Sequence, residues 1–315
     1  MRTWRRSTPS LIESLAPRAT ALLPGGSTIL QDVTMTIHAF RQVDVFGTEP
    51  LLGNPVAVVH GAEDVLGGMM QKIAQWTNLS ETTFLTAPND PRADYGVRIF
   101  TTTQELPFAG HPTLGSAHAW LEAGGVQRSP DQVVQECGIG LVTIRRTAEG
   151  LAFAAPPLLR SGPPDEELRH HVVEMLGLDP ATVFDVEWVD NGPGWLGVLL
   201  DSAASVLAVR PGSVDRPIGL VGPQPGDSPT QFEVRALFPS NGVTLEDPVT
   251  GSLNASLALW LIASGHAEAR YSVSQGTAIG RSGRVEVHQD GQGTTWIGGS
   301  STTIVQGSIE VPPAT

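Results

Sequence analysis

The chain has 315 residues, 40% of them hydrophobic, and a formal net charge of −13. That hydrophobic share is enough for real cores and excludes global disorder, while 35 glycines and 25 prolines without a G-X-Y period exclude collagen. One cysteine, Cys137, excludes an internal disulfide and a Cys-based metal cage, and the acidic balance argues against nucleic acid and anionic membranes as partners.

Residues 1–34 carry Arg2, Arg5, Arg6 and Arg18 against Glu13 and Asp32, and no long apolar stretch follows the arginines. They read as a disordered leader or an overextended start, with the domain beginning at Met35. From there short β-rich runs alternate with amphipathic helices. A strand is predicted over 37–46, a turn at Gly53-Asn54-Pro55, a buried strand over 56–59 and a helix over 69–76. Strands follow over 82–86 and 95–101, then a helix over 112–123 that stops at Gly124-Gly125, then a strand over 133–137. Pro156-Pro157 and Pro163-Pro164 bracket an expected interdomain linker before a helix over 165–176. The segment from Pro211 to Pro229 holds five prolines without periodicity and is expected to be a long surface loop. The longest apolar or small-residue run, 255–265, is too short to span a bilayer.

An internal repeat organises these elements. Val97-Arg98-Ile99-Phe100 leads through a turn-rich loop to Gly110-His111 and a small-residue-rich helix ending at Gly124. Val234-Arg235-Ala236-Leu237-Phe238 leads likewise to Gly251-Ser252 and a helix ending at Gly265. The two units are offset by 141 residues, which predicts two similar α/β halves, each with a central helix.

The first turn of a helix leaves backbone N–H groups unpaired and carries partial positive charge, and glycine there lets an anion approach. If the halves are related by a pseudo-twofold axis, both helix starts can face one cleft and hold a carboxylate without an arginine. The alternative is that Gly110 and Gly251 only shape tight turns. His111 follows Gly110, and Asp247 lies a short loop before Gly251-Ser252, where simple capping is the commoner role. Neither loop carries a phosphate-binding signature, and His118 finds no acidic partner at metal-ligand spacing, so no nucleotide and no metal are expected. Lys72 is the sole lysine and sits in an ordinary amphipathic stretch, which disfavours Schiff-base chemistry. Glu81, between a predicted helix and strand, taken alone reads as a solvated charge. Cys137 reads as a small buried hydrophobe.

Four ordered motifs together resemble the PhzF phenazine-biosynthesis-like family from about Met35 onward. They are Gly53-Asn54-Pro55-Val56-Ala57-Val58-Val59, Asn78-Leu79-Ser80-Glu81-Thr82-Thr83-Phe84, Glu105-Leu106-Pro107-Phe108-Ala109-Gly110-His111-Pro112-Thr113-Leu114-Gly115 and Glu246-Asp247-Pro248-Val249-Thr250-Gly251-Ser252. The resemblance implies an α/β (α+β) diaminopimelate-epimerase-like fold of two pseudo-symmetric halves, each a curved sheet around a central helix. It divides the chain into halves at 35–155 and 165–302, with 303–315 returning to the first half. It further implies a homodimer, no cofactor, and isomerisation of a small carboxylate-bearing metabolite such as trans-2,3-dihydro-3-hydroxyanthranilate. By match of motif Glu81 is the general acid/base, His111 and Asp247 assist, and Gly110, Gly251 and Ser252 bind the substrate carboxylate, with Asn54 facing the substrate. A carboxylate in a partly dry cleft suits this work, because its pKa rises toward neutrality. Two-thiol epimerisation is excluded by the lone cysteine. A one-base epimerase or lyase of secondary metabolism, and a non-catalytic ligand-binding protein, remain as alternatives. The expected location is the cytoplasm.

Overall fold

The computed structural model describes residues 35–240 and 242–312; the expected leader lies outside the described residues. The first half contains β1 (Thr36–Val45), β2 (Asn54–Val59), α1 (Gly67–Thr77), β3 (Glu81–Thr86), β4 (Tyr95–Phe100), β5 (Glu105–Leu106), α2 (Gly110–Glu122), β6 (Gln132–Cys137), β7 (Gly140–Thr147) and β8 (Gly150–Ala154). A short β9 (Arg160–Gly162) and α3 (Glu166–Met175), capped by Asp165 accepting from the Leu168 N–H, lead onward. The second half contains β10 (Val183–Asp190), β11 (Leu196–Leu200), α4 (Ala203–Ala208), β12 (Ile218–Pro223), β13 (Phe232–Ser240), β14 (Val243–Asp247), α5 (Gly251–Ala263), β15 (Arg270–Gln275), β16 (Gly283–Gln289) and β17 (Thr295–Gly299). The last strand is β18 (Ser301–Val311).

The pairing pattern repeats strand for strand. In the first half β1–β2 is antiparallel, β2–β3 parallel, β3–β4 antiparallel, β4–β6 parallel, and β6–β7–β8 antiparallel. The second half follows the same sequence of senses through β10, β11, β12, β13, β15, β16 and β17. The halves join edge to edge through β8 and β17, antiparallel. Each half also lends a strand to the other. β9 leaves the first half to pair with β10, and β18 leaves the second to pair with β1 over its whole length.

Each sheet wraps a central helix, and that requirement shapes the two sequences. α5 buries residues around most of its circumference, among them Leu253, Ala255, Leu257, Ala258 and Leu261, so it carries almost no polar face. α2 buries Leu114, Ala117 and Ala119 in the same way. Both belong to one continuous apolar core that crosses the junction between the halves. Smaller clusters lie under α1 and between α3, α4 and the second sheet.

One expectation needs correction. The proline-rich segment 211–229 is not a surface loop throughout: it contains β12, whose Ile218, Leu220 and Val221 are fully buried between β11 and β13. Proline is excluded only where a strand must donate inside the ladder, and here Pro217 precedes the strand while Pro223 closes it. The apolar run Ile218-Gly219-Leu220-Val221 is a parallel-sheet signature that the flanking prolines obscured. Between the proline pairs the expected interdomain linker carries β9. Among the described residues no helix is long and apolar enough to cross a membrane.

Candidate active site

The starts of α2 and α5 abut. A Cβ placed on Gly110 would fall 2.9 Å from the Gly251 Cα, and one on Gly251 would fall 2.9 Å from the Gly110 Cα and the His111 N. Only glycine at both positions lets the two backbones come this close. Neither helix has a side-chain cap or an acidic residue in its first turn. The positive ends of two helix dipoles therefore meet at one place, a field that favours an anion.

Acid–base side chains converge on that junction from both halves. Asn78, the C-cap of α1, takes the left-handed conformation that asparagine tolerates (φ 53°) and turns the chain sharply into β3. Glu81 opens that strand opposite Val56 of β2. Its Oε2 lies 3.3 Å from Nε2 of His111, the second residue of α2. Both atoms are buried and neither has a hydrogen-bond partner, so the two face each other at contact distance without a hydrogen bond between them. Asp247, at the end of β14, is reached through Asn54, which is fully buried at the start of β2. Asn54 Nδ2 donates to Asp247 Oδ1 (3.0 Å) and to the Val249 carbonyl (2.9 Å), and lies 3.4 Å from His111 Nδ1. The turn before Asn54 is itself pinned. Gly53 N–H donates to Asp44, and Arg281 of the second half donates to the Leu51 and Gly53 carbonyls.

Burial separates the titrations of these groups. Glu81, its side chain 15% exposed, is pushed up to about 8, first by burial and then by the charge of Asp247. Asp247 rises to about 6 by burial, held back by donors from Thr250, Asn54 and Ser80. His111 falls to about 3 because burial disfavours its charged form. Near neutrality the cluster therefore holds a neutral imidazole, a protonated glutamic acid and an ionised aspartate. Environment thus leaves Glu81 ready to ionise just above neutrality, beside a carboxylate that is already charged.

All six residues expected at the site, Glu81, His111, Asp247, Gly110, Gly251 and Ser252, thus gather at the junction. Ser252, the repeat counterpart of His111, accepts from Trp195 Nε1 (3.2 Å) through its hydroxyl and from Asn191 Nδ2 (3.0 Å) through its carbonyl. Trp195 and Asn191, like Asn254 of α5 and Gln275 of β15, carried no signal of their own in the sequence. Glu246, the neighbour of Asp247, plays no part in the cluster and forms a two-pronged ion pair with the buried Arg235. His118 meets Thr303 of β18 at 3.1 Å. Two surface depressions of about 230 and 490 Å³ lie elsewhere and include none of the six. Cys137 lines the larger of these two and is half-buried, packed against the main core. Burial pushes its thiol up, which keeps it unreactive.

A family model described as phenazine biosynthesis-like protein matches residues 43–307. The chain belongs to this family. It is 34% identical over 266 residues to the trans-2,3-dihydro-3-hydroxyanthranilate isomerase of Pseudomonas aeruginosa, covering 82% of this chain and 92% of that one. It is also 33% identical over 299 residues to Antisense-enhancing sequence 1 of Schizosaccharomyces pombe, covering 87% and 99%. A solved PhzF-family protein from Enterococcus faecalis superimposes with a TM-score of 0.70 at 24% identity, covering 87% of this chain and 99% of that one. The fold is the diaminopimelate-epimerase-like one, and this chain, like several relatives so named, is an isomerase.

Proposed function

We propose that this family member transfers a proton within a small carboxylate-bearing metabolite, without a cofactor, as a trans-2,3-dihydro-3-hydroxyanthranilate isomerase. The observation that carries this reading is the contact of Glu81 Oε2 with His111 Nε2, 3.3 Å apart beside two uncapped helix starts. The substrate carboxylate docks on the backbone N–H groups that open α2 and α5, around Gly110, Gly251 and Ser252. Glu81, as carboxylate, removes a proton from one carbon; the acid so formed, its side chain 15% exposed, trades that proton with solvent and delivers one to another carbon, so the substrate keeps its composition. His111 stays neutral throughout and flanks the Glu81 carboxyl at 3.3 Å. Asp247 keeps that carboxyl basic by charge repulsion. Positioned acid–base action of this kind is worth a factor of about 10²–10⁴, and preorganised amides at the carboxylate add to it. Family resemblance supports a homodimer, and the single cysteine suits a reducing compartment such as the cytoplasm.

The test is to incubate the protein with trans-2,3-dihydro-3-hydroxyanthranilate in D₂O and analyse the product by mass and NMR. An isomer carrying one solvent deuterium is expected. A product lighter by one water would make the enzyme a lyase, and no turnover would remove this substrate from the proposal.

A further inference from the structure

The opening turn of α5 rests on a buried glutamine, and the equivalent strand of the other half carries a buried glutamine that serves a different purpose. Gln275, the last residue of β15, is fully buried, and all four of its hydrogen-bonding positions are used. Its Nε2 donates to Thr250 Oγ1 (3.0 Å) and to the Asp247 carbonyl (3.2 Å). Its Oε1 accepts from the Thr250 N–H (3.1 Å) and from Asn254 Nδ2 (2.7 Å). The Asp247 carbonyl can only accept, which fixes which end of the amide is nitrogen. Because the Thr250 oxygen accepts from Gln275, its single proton is directed onward, and it donates to Asp247 Oδ2. The other oxygen of that carboxylate accepts from Asn54.

The duplication supplies an internal comparison. Gln135 stands near the end of β6, the counterpart of β15, and is equally buried. It donates to Thr113 Oγ1 at 3.0 Å, and Thr113 is the α2 residue that the 141-residue offset matches to Asn254. Its remaining oxygen accepts from the Tyr95 hydroxyl (2.9 Å), away from Glu81, His111 and Asp247. Both glutamines bolt a central helix to its sheet, but only Gln275 extends to the acid–base cluster.

We propose that Gln275 is a positioning residue that, acting through Thr250, aims the Asp247 carboxylate at the Glu81–His111 pair and sets the opening turn of α5. One neutral amide thereby fixes both the charge beside Glu81 and the backbone that faces the substrate carboxylate. An amide has no titration of its own, so this alignment holds across the working pH range. The inference rests on Asp247 and Glu81 being the acid–base cluster of the proposed reaction.

The experiment compares Gln275→Met, Thr250→Val, Thr250→Ser and Gln135→Met in the full chain. ¹³C-carboxyl NMR follows the titration of Asp247, assigned with Asp247→Asn, alongside the pH profile of turnover of trans-2,3-dihydro-3-hydroxyanthranilate. Thr250→Val should raise the Asp247 midpoint by about one pH unit, the size expected for losing one donor to a carboxylate, and Gln275→Met should raise it in the same direction by loosening that donor. Thr250→Ser, which keeps the hydroxyl, should restore it. Gln135→Met should lower thermal stability without moving that midpoint. If Gln275→Met does not fold, the Val and Ser variants of Thr250 decide the matter alone. An Asp247 midpoint in Gln275→Met or Thr250→Val equal to that in Gln135→Met overturns the inference. The titration needs no substrate, so it separates this failure from a wrong assignment of the reaction.

Discussion

Replacing Gly110 with alanine tests the meeting of the two helices at its tightest point. The added methyl would lie 2.7 Å from Phe153 Cζ, 2.9 Å from the Gly251 Cα and 3.0 Å from the Gly251 carbonyl carbon. Ordinary contact begins near 3.4 Å, so the surroundings must yield by about half an ångström or more. The Phe153 ring can tilt, but the Gly251 backbone moves only if α5 moves with it. Overpacking of this kind costs about 1–3 kcal/mol, and the better helix propensity of alanine returns less than about 1 kcal/mol. A net loss of about 1–2 kcal/mol in urea unfolding is expected. Turnover should suffer more than stability, because parting the helix starts displaces the substrate carboxylate from Glu81, and an error of about 1 Å can cost about 10²-fold. Gly68→Ala, on an α1 glycine with nothing within 4 Å of its missing Cβ, is the matched control and should be neutral or slightly stabilising. Gly110→Ala with wild-type stability and wild-type turnover would refute the reasoning, since the helices could not then be abutting.

Other expectations concern charge. Asp247→Asn removes the repulsion that helps raise Glu81, so the rise of activity with pH, which follows ionisation of Glu81, should move to lower pH. Glu81→Gln should gain stability relative to wild type as pH climbs from about 4.5 to about 8. Over that range the unfolded chain has released the Glu81 proton while the folded one retains it, so wild-type stability falls, by at most ~1.4 kcal/mol per pH unit. His111 acts in the opposite sense. Its folded value near 3 lies below the unfolded 6.5, so its contribution is complete above 6.5 and is lost as pH falls toward 3. His111→Gln should flatten the acid side of the stability profile measured by thermal melting. Arg235→Met strands the buried Glu246 and the Val206 and Val209 carbonyls, and should cost about 3–5 kcal/mol in urea unfolding.

How far the molecule could be read from its residues depended on whether the signal was local. The duplication was legible because glycines at both ends of each central helix recur at one offset and a Val-Arg strand precedes each helix. The paired topology of the two sheets follows from that repeat. β12 was not legible, because the prolines around it dominate its window while its burial comes from β11 and β13 on either side. Glu81 illustrates the same limit at the site. A glutamate between a helix and a strand is ordinary in isolation, and only the motif match gave it a role. Its altered titration arises from burial and from Asp247, far along the chain. Gln275 lay further out of reach, since its partners sit on β14 and α5 and its importance shows only beside Gln135.

The most direct test of the central claim is single-turnover solvent-deuterium exchange into trans-2,3-dihydro-3-hydroxyanthranilate by wild type and Glu81→Gln, with binding of a non-reacting carboxylate analogue measured in parallel. The account predicts that exchange falls by about 10²-fold or more while the analogue binds within a few-fold of wild type. Equal exchange by the two proteins would contradict it.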